Sequence, residues 1–359
     1  MIKPKFYLLW KFLVRFFQGN RNILRLFFGR QLKPRGIWFG VTDRCNSHCT
    51  HCQIWKQKPS DNPLTLEELE KIFRDPLLSE VESIINSGGE ALLRNDIVDI
   101  IKLEHEIFPK AILDLSTNGI LPERALKVVG ELLEAGVRLN VGVSVDGVGE
   151  RHDSIRGVPG NFTKVNYLLE NLVELRNKYP KLLSIIVGFT LSDLTIDQWE
   201  KVREYTEKFD IEFMMQWYNQ SSFYGNSVRD EEELRLAMIE AVKCQPRSIT
   251  REKWLKLLVG KSIKYRCLAA QSFFVLKCDG QIAPCLSYWD DSLGNARDIS
   301  ISEIWRSDAA NKVREKVSRC SGCLNSWGVT WSASALIYPS IAFYLRNPMA
   351  VIDRLRRRD

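Results

Sequence analysis

The alternation of apolar and polar residues along the chain predicts six strands that take turns with helices. Runs with strand character occupy residues 37–42, 81–86, 111–115, 138–145, 182–190 and 211–217. Helical periodicity occupies residues 65–75, 93–106, 122–136, 161–179 and 195–208. Such alternation builds a parallel sheet covered by helices. Right-handed crossovers would curl six strands into a partial (β/α)6 barrel of the α/β class.

Local signals support two of these helices. Thr65, with Glu68 three residues later, has the pattern of a capping box at the start of the first helix. Pro122 suits the first turn of the third predicted helix. We therefore expect helices to begin at both places.

Three cysteines lie within eight residues, directly after the first predicted strand: Cys45, Cys49 and Cys52. A four-iron cluster is normally held by four cysteines. Three thiolates would therefore leave one iron open to something other than protein. Structural zinc is the alternative, because His48 or His51 could supply the fourth ligand.

The spacing C-x3-C-x2-C at the end of a first strand resembles the signature of the radical SAM family, C-x3-C-x-aromatic-C, with His51 in the aromatic place. The resemblance implies that the open iron binds the amino and carboxylate groups of S-adenosylmethionine (SAM). It also implies that the reduced 4Fe-4S cluster cleaves SAM to methionine and a 5′-deoxyadenosyl radical, which removes hydrogen from a C–H bond.

Small polar residues and glycines follow the next strands, at the edge where barrels of this kind carry their chemistry. A Gly-Gly pair alone usually marks a turn, and an arginine is often only a solvated surface residue. The resemblance implies instead that a set of residues here seats SAM. The set is His51, Ser87, Gly88, Gly89, Glu90, Ser116, Asn118, Ser144, Asp146 and Arg156.

Four cysteines of the last third of the chain have a second recognisable spacing. Cys267, Gly280, Cys285 and the pair Cys320-x2-Cys323 resemble the twitch module, a short form of the SPASM extension of radical SAM enzymes. The resemblance implies that the four thiolates hold an auxiliary 4Fe-4S cluster with no open iron. Taken alone, the spacing would equally suit structural zinc. Asp279–Gly280 predicts a hairpin turn between strands at 272–276 and 281–283.

Two cysteines, Cys244 and Cys278, are left over. Their ordinary role would be that of small buried apolar residues. Alternatively, either thiol could return a hydrogen atom to a substrate radical, and Cys278 could substitute as a cluster ligand. Disulfides are not expected, because a reduced, oxygen-labile cluster belongs in a reducing compartment.

Charge is concentrated at the amino end. The formal net charge is +7, and the first 42 residues hold nine of the 51 basic residues and none of the 44 acidic ones. The basic residues interrupt aromatic-rich apolar blocks that fall short of the roughly 20 residues needed to span a bilayer. This pattern is typical of an arm in the membrane interface. Packing of both chain ends on the barrel is the alternative, and nucleic-acid binding is not expected.

These observations divide the chain into four parts: a basic amphipathic arm (1–35), a radical SAM partial barrel (36–230), linker helices with a SPASM/twitch-like module (231–325) and an apolar, basic tail (326–359). The expected protein is a radical SAM oxidoreductase, peripheral on the cytoplasmic face of a membrane. It would dehydrogenate a small-molecule or lipid-linked substrate and take electrons from flavodoxin or ferredoxin. The alternatives are a redox-neutral epimerase, a peptide-modifying SPASM-type maturase and a non-catalytic zinc-binding membrane adaptor.

Overall fold

The structure is a computed structural model of the 359-residue chain. It describes residues 30–217, 231–245, 248–261 and 267–320, together with 21–22, 24–25, 28, 224, 328, 332, 345 and 347. Every structural statement below concerns those residues. Most of the predicted arm and tail lies outside them.

The described residues form one mixed sheet in the order β6-β5-β4-β3-β2-β1-β7-β8-β9. The strands are β1 Gly36–Thr42, β2 Ser83–Gly88, β3 Ile112–Thr117, β4 Leu139–Ser144, β5 Leu183–Leu191, β6 Glu212–Trp217, β7 Phe273–Leu276, β8 Gln281–Ala283 and β9 Gly294–Asn295. Strands β1 to β7 pair in parallel, whereas β7, β8 and β9 pair antiparallel. The six predicted barrel strands are all present.

Helices connect the parallel strands, and two further helices follow β9. They are α1 Leu66–Phe73, α2 Ile97–Ile107, α3 Pro122–Glu134, α4 Glu150–Arg156, α5 Asn161–Lys178, α6 Trp199–Glu207, α7 Glu231–Cys244, α8 Ile249–Leu258, α9 Ile301–Arg306 and α10 Asp308–Ser318. Short 3-10 turns lie at Ile54–Lys56, Pro76–Glu80, Ala91–Leu93 and Leu286–Tyr288. None of the helices in the described part of the chain is long and apolar enough to cross a membrane.

The predicted helix starts are confirmed. The Thr65 hydroxyl accepts from the Glu68 backbone N–H, and the Glu68 carboxylate accepts from the Thr65 N–H. Pro122 occupies the first turn of α3. These caps fix where the chain turns from each loop into a helix.

The two faces of the barrel sheet differ sharply. On β3, Leu113 and Leu115 are at most 1% exposed and pack in the main apolar core with the covering helices. Asp114, which lies between these two leucines, and Ser116, which follows Leu115, are only half-buried. Side chains alternate between the faces of a strand. The core is therefore built on the helix side, and the inner side of the barrel carries small and polar groups.

The auxiliary hairpin extends the barrel sheet, which the sequence did not predict. The turn at Asp279–Gly280 joins β7 to β8 as expected, with Gly280 at φ 88°. However, β7 also pairs in parallel with β1, from Gly36↔Phe273 to Phe39↔Leu276. The hairpin that carries the second cysteine set is thus continuous with the first barrel strand.

A buried carboxyl group ties α2 to β2. Glu104 is fully buried, and one of its oxygens accepts a 2.8 Å hydrogen bond from the Asn86 side chain. Burial raises the pKa of Glu104 to about 8, and the hydrogen bond from Asn86 offsets only part of that rise. Glu104 is therefore protonated in the folded protein at pH 7.

This predicts a pH-dependent stability. Between pH 4.5, the ordinary pKa, and pH 8 the unfolded chain loses the Glu104 proton while the folded chain keeps it, so the free energy of unfolding falls as pH rises. Denaturant titrations at pH 5 and 8 should show that Glu104→Gln gains stability over wild type as pH rises, by about 3 to 4 kcal/mol. The exposed Glu106→Gln on the same helix is the control. Parallel profiles for all three proteins would contradict the assignment.

Candidate active site

The three-cysteine loop lies at the carboxyl end of β1 and is docked on the end of α4. The His48 N–H donates to the Arg156 carbonyl at 3.0 Å, and the Thr50 N–H donates to the Ile155 carbonyl at 2.9 Å. The Ser47 hydroxyl also donates to the Arg156 carbonyl, at 3.0 Å. Helix carbonyls at a C-terminus lack partners within their own helix. The cysteine loop supplies those partners.

Gly157 makes this docking possible. It ends α4 in the left-handed conformation, with φ 65°. A Cβ at this position would lie 2.5 Å from the His48 carbonyl oxygen. Glycine is therefore required here both by backbone conformation and by the close approach of the loop.

The predicted Gly-Gly-Glu segment supports the other side of the loop. The Gly89 N–H donates to the Thr42 carbonyl and the Glu90 N–H to the Arg44 carbonyl, both at 2.8 Å. A Cβ on Gly88 or Gly89 would come within 2.1 Å of the same two carbonyl oxygens. The two glycines let the end of β2 lie directly against the backbone that enters the cysteine loop.

The Glu90 side chain links the end of β2 to the end of β3. It is 1% exposed, and its oxygens accept from the Thr117 hydroxyl at 2.9 Å and the Asn118 N–H at 2.7 Å. Burial raises the pKa of Glu90 to about 7, although these hydrogen bonds favour the charged form. The Asn118 amide in turn donates to the Asn46 side chain in the cysteine loop at 2.8 Å.

An ion pair lies beside the cysteines. Asp146, fully buried after β4, accepts from the Arg156 guanidinium at 2.7 Å and from the Thr190 N–H at 2.8 Å. Burial alone would raise the pKa of Asp146, but the Arg156 charge, together with His51 and the hydrogen bond from Thr190, holds the pKa below the usual range. Arg156 also donates to the Cys49 sulfur at 3.7 Å, and the His51 imidazole lies 3.6 Å from Asp146.

The residues around Arg156 have structural roles that sequence reasoning missed. His152 is buried, and its Nδ1 accepts from the Asp146 N–H at 3.3 Å. Burial lowers the pKa of His152 to about 4, so the ring is neutral at pH 7. The Asp153 carboxylate accepts from two backbone N–H groups around the start of α5, at 2.6 and 2.7 Å. Their position in the short helix that Gly157 ends was the available signal.

The inner face beside these groups is hollow. Ser116 and Ser144 are half-buried there, next to Gly142. A Cβ on Gly142 would meet nothing closer than the Ser116 hydroxyl at 3.7 Å, and one on Gly188 only the tip of Gln216 at 3.7 Å. Three residues predicted to contact the cofactor, Ser87, Ser116 and Ser144, are therefore partly accessible to solvent, whereas Asn118 is buried against Asn46.

Three of the four predicted auxiliary cysteines come together. Cys267 and Cys285 share a small apolar cluster with Tyr288, and Cys320 lies near enough to Cys285 to affect its thiol electrostatically. Burial raises the pKa of Cys285 to about 12. The fourth predicted ligand, Cys323, lies outside the described residues.

A short segment joins the two cysteine sets. Cys285 belongs to the auxiliary set, whereas Leu286 and Trp289 pack in a cluster that includes Trp38, Cys45 and Cys52. Trp289 meets Trp38 edge-on, with 6.0 Å between ring centroids. The turn that carries the auxiliary cysteine therefore also covers the catalytic loop.

The two remaining cysteines are placed differently. Cys244 is exposed at the last residue of α7. Cys278 is 7% exposed, and its thiol donates to the Asp43 carboxylate at 3.6 Å. Cys278 thus lies next to the start of the catalytic loop, and no described contact joins it to Cys267 or Cys285.

The described residues form an α/β barrel sheet with a three-cysteine loop at its carboxyl edge and a second set of cysteines around an attached hairpin. Residues 40–205 match the model of the Radical SAM superfamily, and residues 267–324 match the SPASM iron-sulfur cluster-binding domain. Together the two matches cover more than half of the chain. The chain belongs to the radical SAM superfamily and carries a SPASM-type domain.

Similar proteins agree with this assignment. The chain is 34% identical to an Fe-coproporphyrin III synthase of Methanosarcina barkeri over 41% of its own length and 36% of that relative. It is 27% identical to the AdoMet-dependent heme synthase of the same organism over 81% of its own length and 88% of the relative. The structure of anSMEcpe with bound AdoMet and Cp18Cys peptide superposes with a TM-score of 0.55 at 21% identity, covering 91% of this chain and all of that chain. At that identity it shows a shared fold.

The cofactors of this enzyme are SAM, a catalytic 4Fe-4S cluster and an auxiliary cluster. The donor chemistry of the loop suits that set. Its three thiols lie near enough to one another to interact electrostatically, and the Arg156 guanidinium lies 3.7 Å from the Cys49 sulfur. Among the described residues, however, no three side chains already form a metal site, and burial raises the pKa of Cys45 to about 11.

The loop docking yields a direct prediction. Gly157→Ala should displace the His48 carbonyl and lower iron content after anaerobic reconstitution from about eight to about four per chain. Gly160→Ala is the matched control, because Gly160 has φ 73° but a Cβ there would meet nothing within 4 Å. Both variants carry similar backbone strain. Equal iron in the two variants, at equal thermal stability, would contradict the role of Gly157.

Proposed function

We propose that this radical SAM enzyme removes hydrogen from a C–H bond and oxidises the resulting substrate radical. Cys45, Cys49 and Cys52 would hold the catalytic cluster. Cys267, Cys285, Cys320 and Cys323 would hold the auxiliary one. When bound, SAM and the reduced catalytic cluster supply the 5′-deoxyadenosyl radical that starts the reaction.

The cofactor-binding roles follow from the residues' positions. The Gly88–Glu90 backbone would receive the SAM amino group. The guanidinium of Arg156, fixed by Asp146, suits the SAM carboxylate. Ser87, Ser116, Asn118 and Ser144 would border the rest of the cofactor along the hollow face, with His51 buried behind the loop.

One observation favours oxidation over a redox-neutral reaction. The 285–289 segment contributes Cys285 to the auxiliary set and Trp289 to the cluster around Cys45 and Cys52. A substrate held between them would lie beside both cofactors. The auxiliary cluster could then accept the electron that the substrate radical loses. A flavodoxin or ferredoxin in the cytoplasm would supply electrons to the catalytic cluster.

The epimerase alternative requires a thiol beside the substrate. The exposed position of Cys244 and the Cys278 contact with Asp43 provide no specific support for it. Peptide modification stays possible on the fold, since anSMEcpe carries a bound peptide. The zinc-adaptor alternative is not supported, because the chain is a radical SAM enzyme.

We also propose that the basic arm contacts a membrane surface. Its described part carries Leu24 and Phe28, which are 57% and 70% exposed. Arg21 and Arg25 contact Glu80, at 2.8 and 3.7 Å, just before β2. This contact lies at the amino ends of the strands, opposite the cysteine loop. Because the arm and the cysteine loop lie at opposite ends of the strands, a substrate in the site would be a small molecule, or a lipid-linked molecule with a polar part long enough to reach the loop.

The cluster assignment predicts separable defects. Reconstituted wild type should release 5′-deoxyadenosine from SAM under reduction, and Cys49→Ala should abolish the release. Cys285→Ala should lose about half of the iron, as Cys49→Ala does, yet still form 5′-deoxyadenosine. Iron analysis and chromatography of the nucleoside products check both. Loss of SAM cleavage in Cys285→Ala but not in Cys49→Ala would reverse the assignment.

The membrane proposal predicts sedimentation with anionic vesicles. A chain lacking residues 1–20, and the double variant Leu24→Ser/Phe28→Ser, should each bind phosphatidylserine-containing vesicles less than wild type. Added salt should weaken binding of wild type. The deletion ends well before Leu32 and Arg35, which are buried, so the packed part of the chain is left intact. Equal partitioning of all three proteins would reject a role for the arm.

A further inference from the structure

Lys277 is a charged residue near the segment that joins the two cysteine sets. The proposed function does not use it. It directly follows β7, and its ammonium lies 4.5 Å from the centroid of the Trp289 ring. Trp289 in turn meets Trp38, which packs with the partly buried Cys45 and Cys52. The Lys277 ammonium therefore contacts a pair of aromatic rings that extends to the three-cysteine loop.

The charge of Lys277 has no ion-pair partner among the described residues. No Asp or Glu oxygen there lies within 4.0 Å of its ammonium. The nearest acidic groups in chain and space, Asp279 and Asp290, interact with it only at longer range. Burial lowers the pKa of the half-buried Lys277, and these two carboxylates only partly offset that effect.

A neighbouring lysine shows the ordinary arrangement. Lys316 also lies over an aromatic ring, 5.1 Å from Tyr288, on the auxiliary side of the same turn. Its ammonium is paired at 2.8 Å with both oxygens of Asp291. Tyr288 and Trp289 thus each lie under a lysine, of which one has a carboxylate partner and the other has none among the described residues.

A partly desolvated ammonium without a counter-ion costs free energy. The Trp289 ring face offsets part of that cost through a cation–π contact. A ligand anion would offset more, since charge-assisted hydrogen bonds to carboxylate or phosphate are among the strongest in proteins. The half-buried Trp289 indole, which meets the buried Trp38 ring edge-on, offers apolar surface for the rest of the ligand.

We infer that Lys277 binds an anionic group, a carboxylate or a phosphate, of the substrate, whose apolar part packs against Trp289. This inference rests on the proposed function, because it places the substrate between the catalytic loop and the auxiliary hairpin. It narrows the substrate class to molecules that carry both an anionic group and an apolar or planar part.

Site-specific acetylation tests the inference without turnover. The reconstituted full chain is treated anaerobically with N-hydroxysuccinimide acetate, and the modification rate of each lysine is measured by mass spectrometry. Pyrophosphate and citrate are the two probes, and sodium chloride at matched ionic strength is the reference. The better probe should slow modification of Lys277 at least about threefold once its concentration exceeds twice its Kd. Lys316 is the internal control and should be unaffected.

The two probes distinguish phosphate from carboxylate recognition. Calorimetry with the better probe should show at least about tenfold weaker binding to Lys277→Met, which keeps the apolar stem. Lys316→Met should bind it as wild type does. Equal slowing at both lysines, slowing at neither, or protection of Lys277 by SAM but by neither probe would overturn the inference.

The test of the anion site can succeed or fail independently of the test of the proposed function. If 5′-deoxyadenosine forms but Lys277 is not protected, only the anion site is wrong. If Lys277 is protected but SAM is not cleaved, the anion site stands and the proposed chemistry fails.

Discussion

The active site depends on one contact, in which the end of α4 receives the cysteine loop. The loop bears the three thiolates outside any long helix or strand, so hydrogen bonds to neighbouring elements must fix its conformation. The Ile155 and Arg156 carbonyls accept from the loop, and Gly157 leaves room for it. The conformation of the three-cysteine loop is therefore set by a helix more than 100 residues later in the chain.

The position of α4 is fixed in turn by the end of β4. Asp146 pairs with Arg156 through its carboxylate and with His152 through its backbone N–H. Breaking a buried ion pair by removing one partner typically costs about 3–5 kcal/mol. Opposite, Glu90 joins the ends of β2 and β3. Four strand ends are thus coupled around one loop, and this coupling can hold a cluster in a fixed orientation.

Local sequence patterns predicted much of the fold. The strand and helix rhythm, the Thr65 cap and the Asp279–Gly280 turn all arise from neighbouring residues, and each is confirmed. The pairing of β7 with β1 was missed, because a contact between strands more than 200 residues apart leaves no trace in local periodicity. The same applies to Lys277, whose significance depends on which carboxylates lie near it in space.

The central claim is that three thiolates, held on this loop, leave one iron available to SAM. Electron paramagnetic resonance of the reduced Cys285→Ala protein, in which the catalytic cluster is the one expected to persist, tests it most directly. The account predicts a signal of a reduced four-iron cluster whose g values change when SAM is added. A cluster signal that is unaltered by saturating SAM would contradict it.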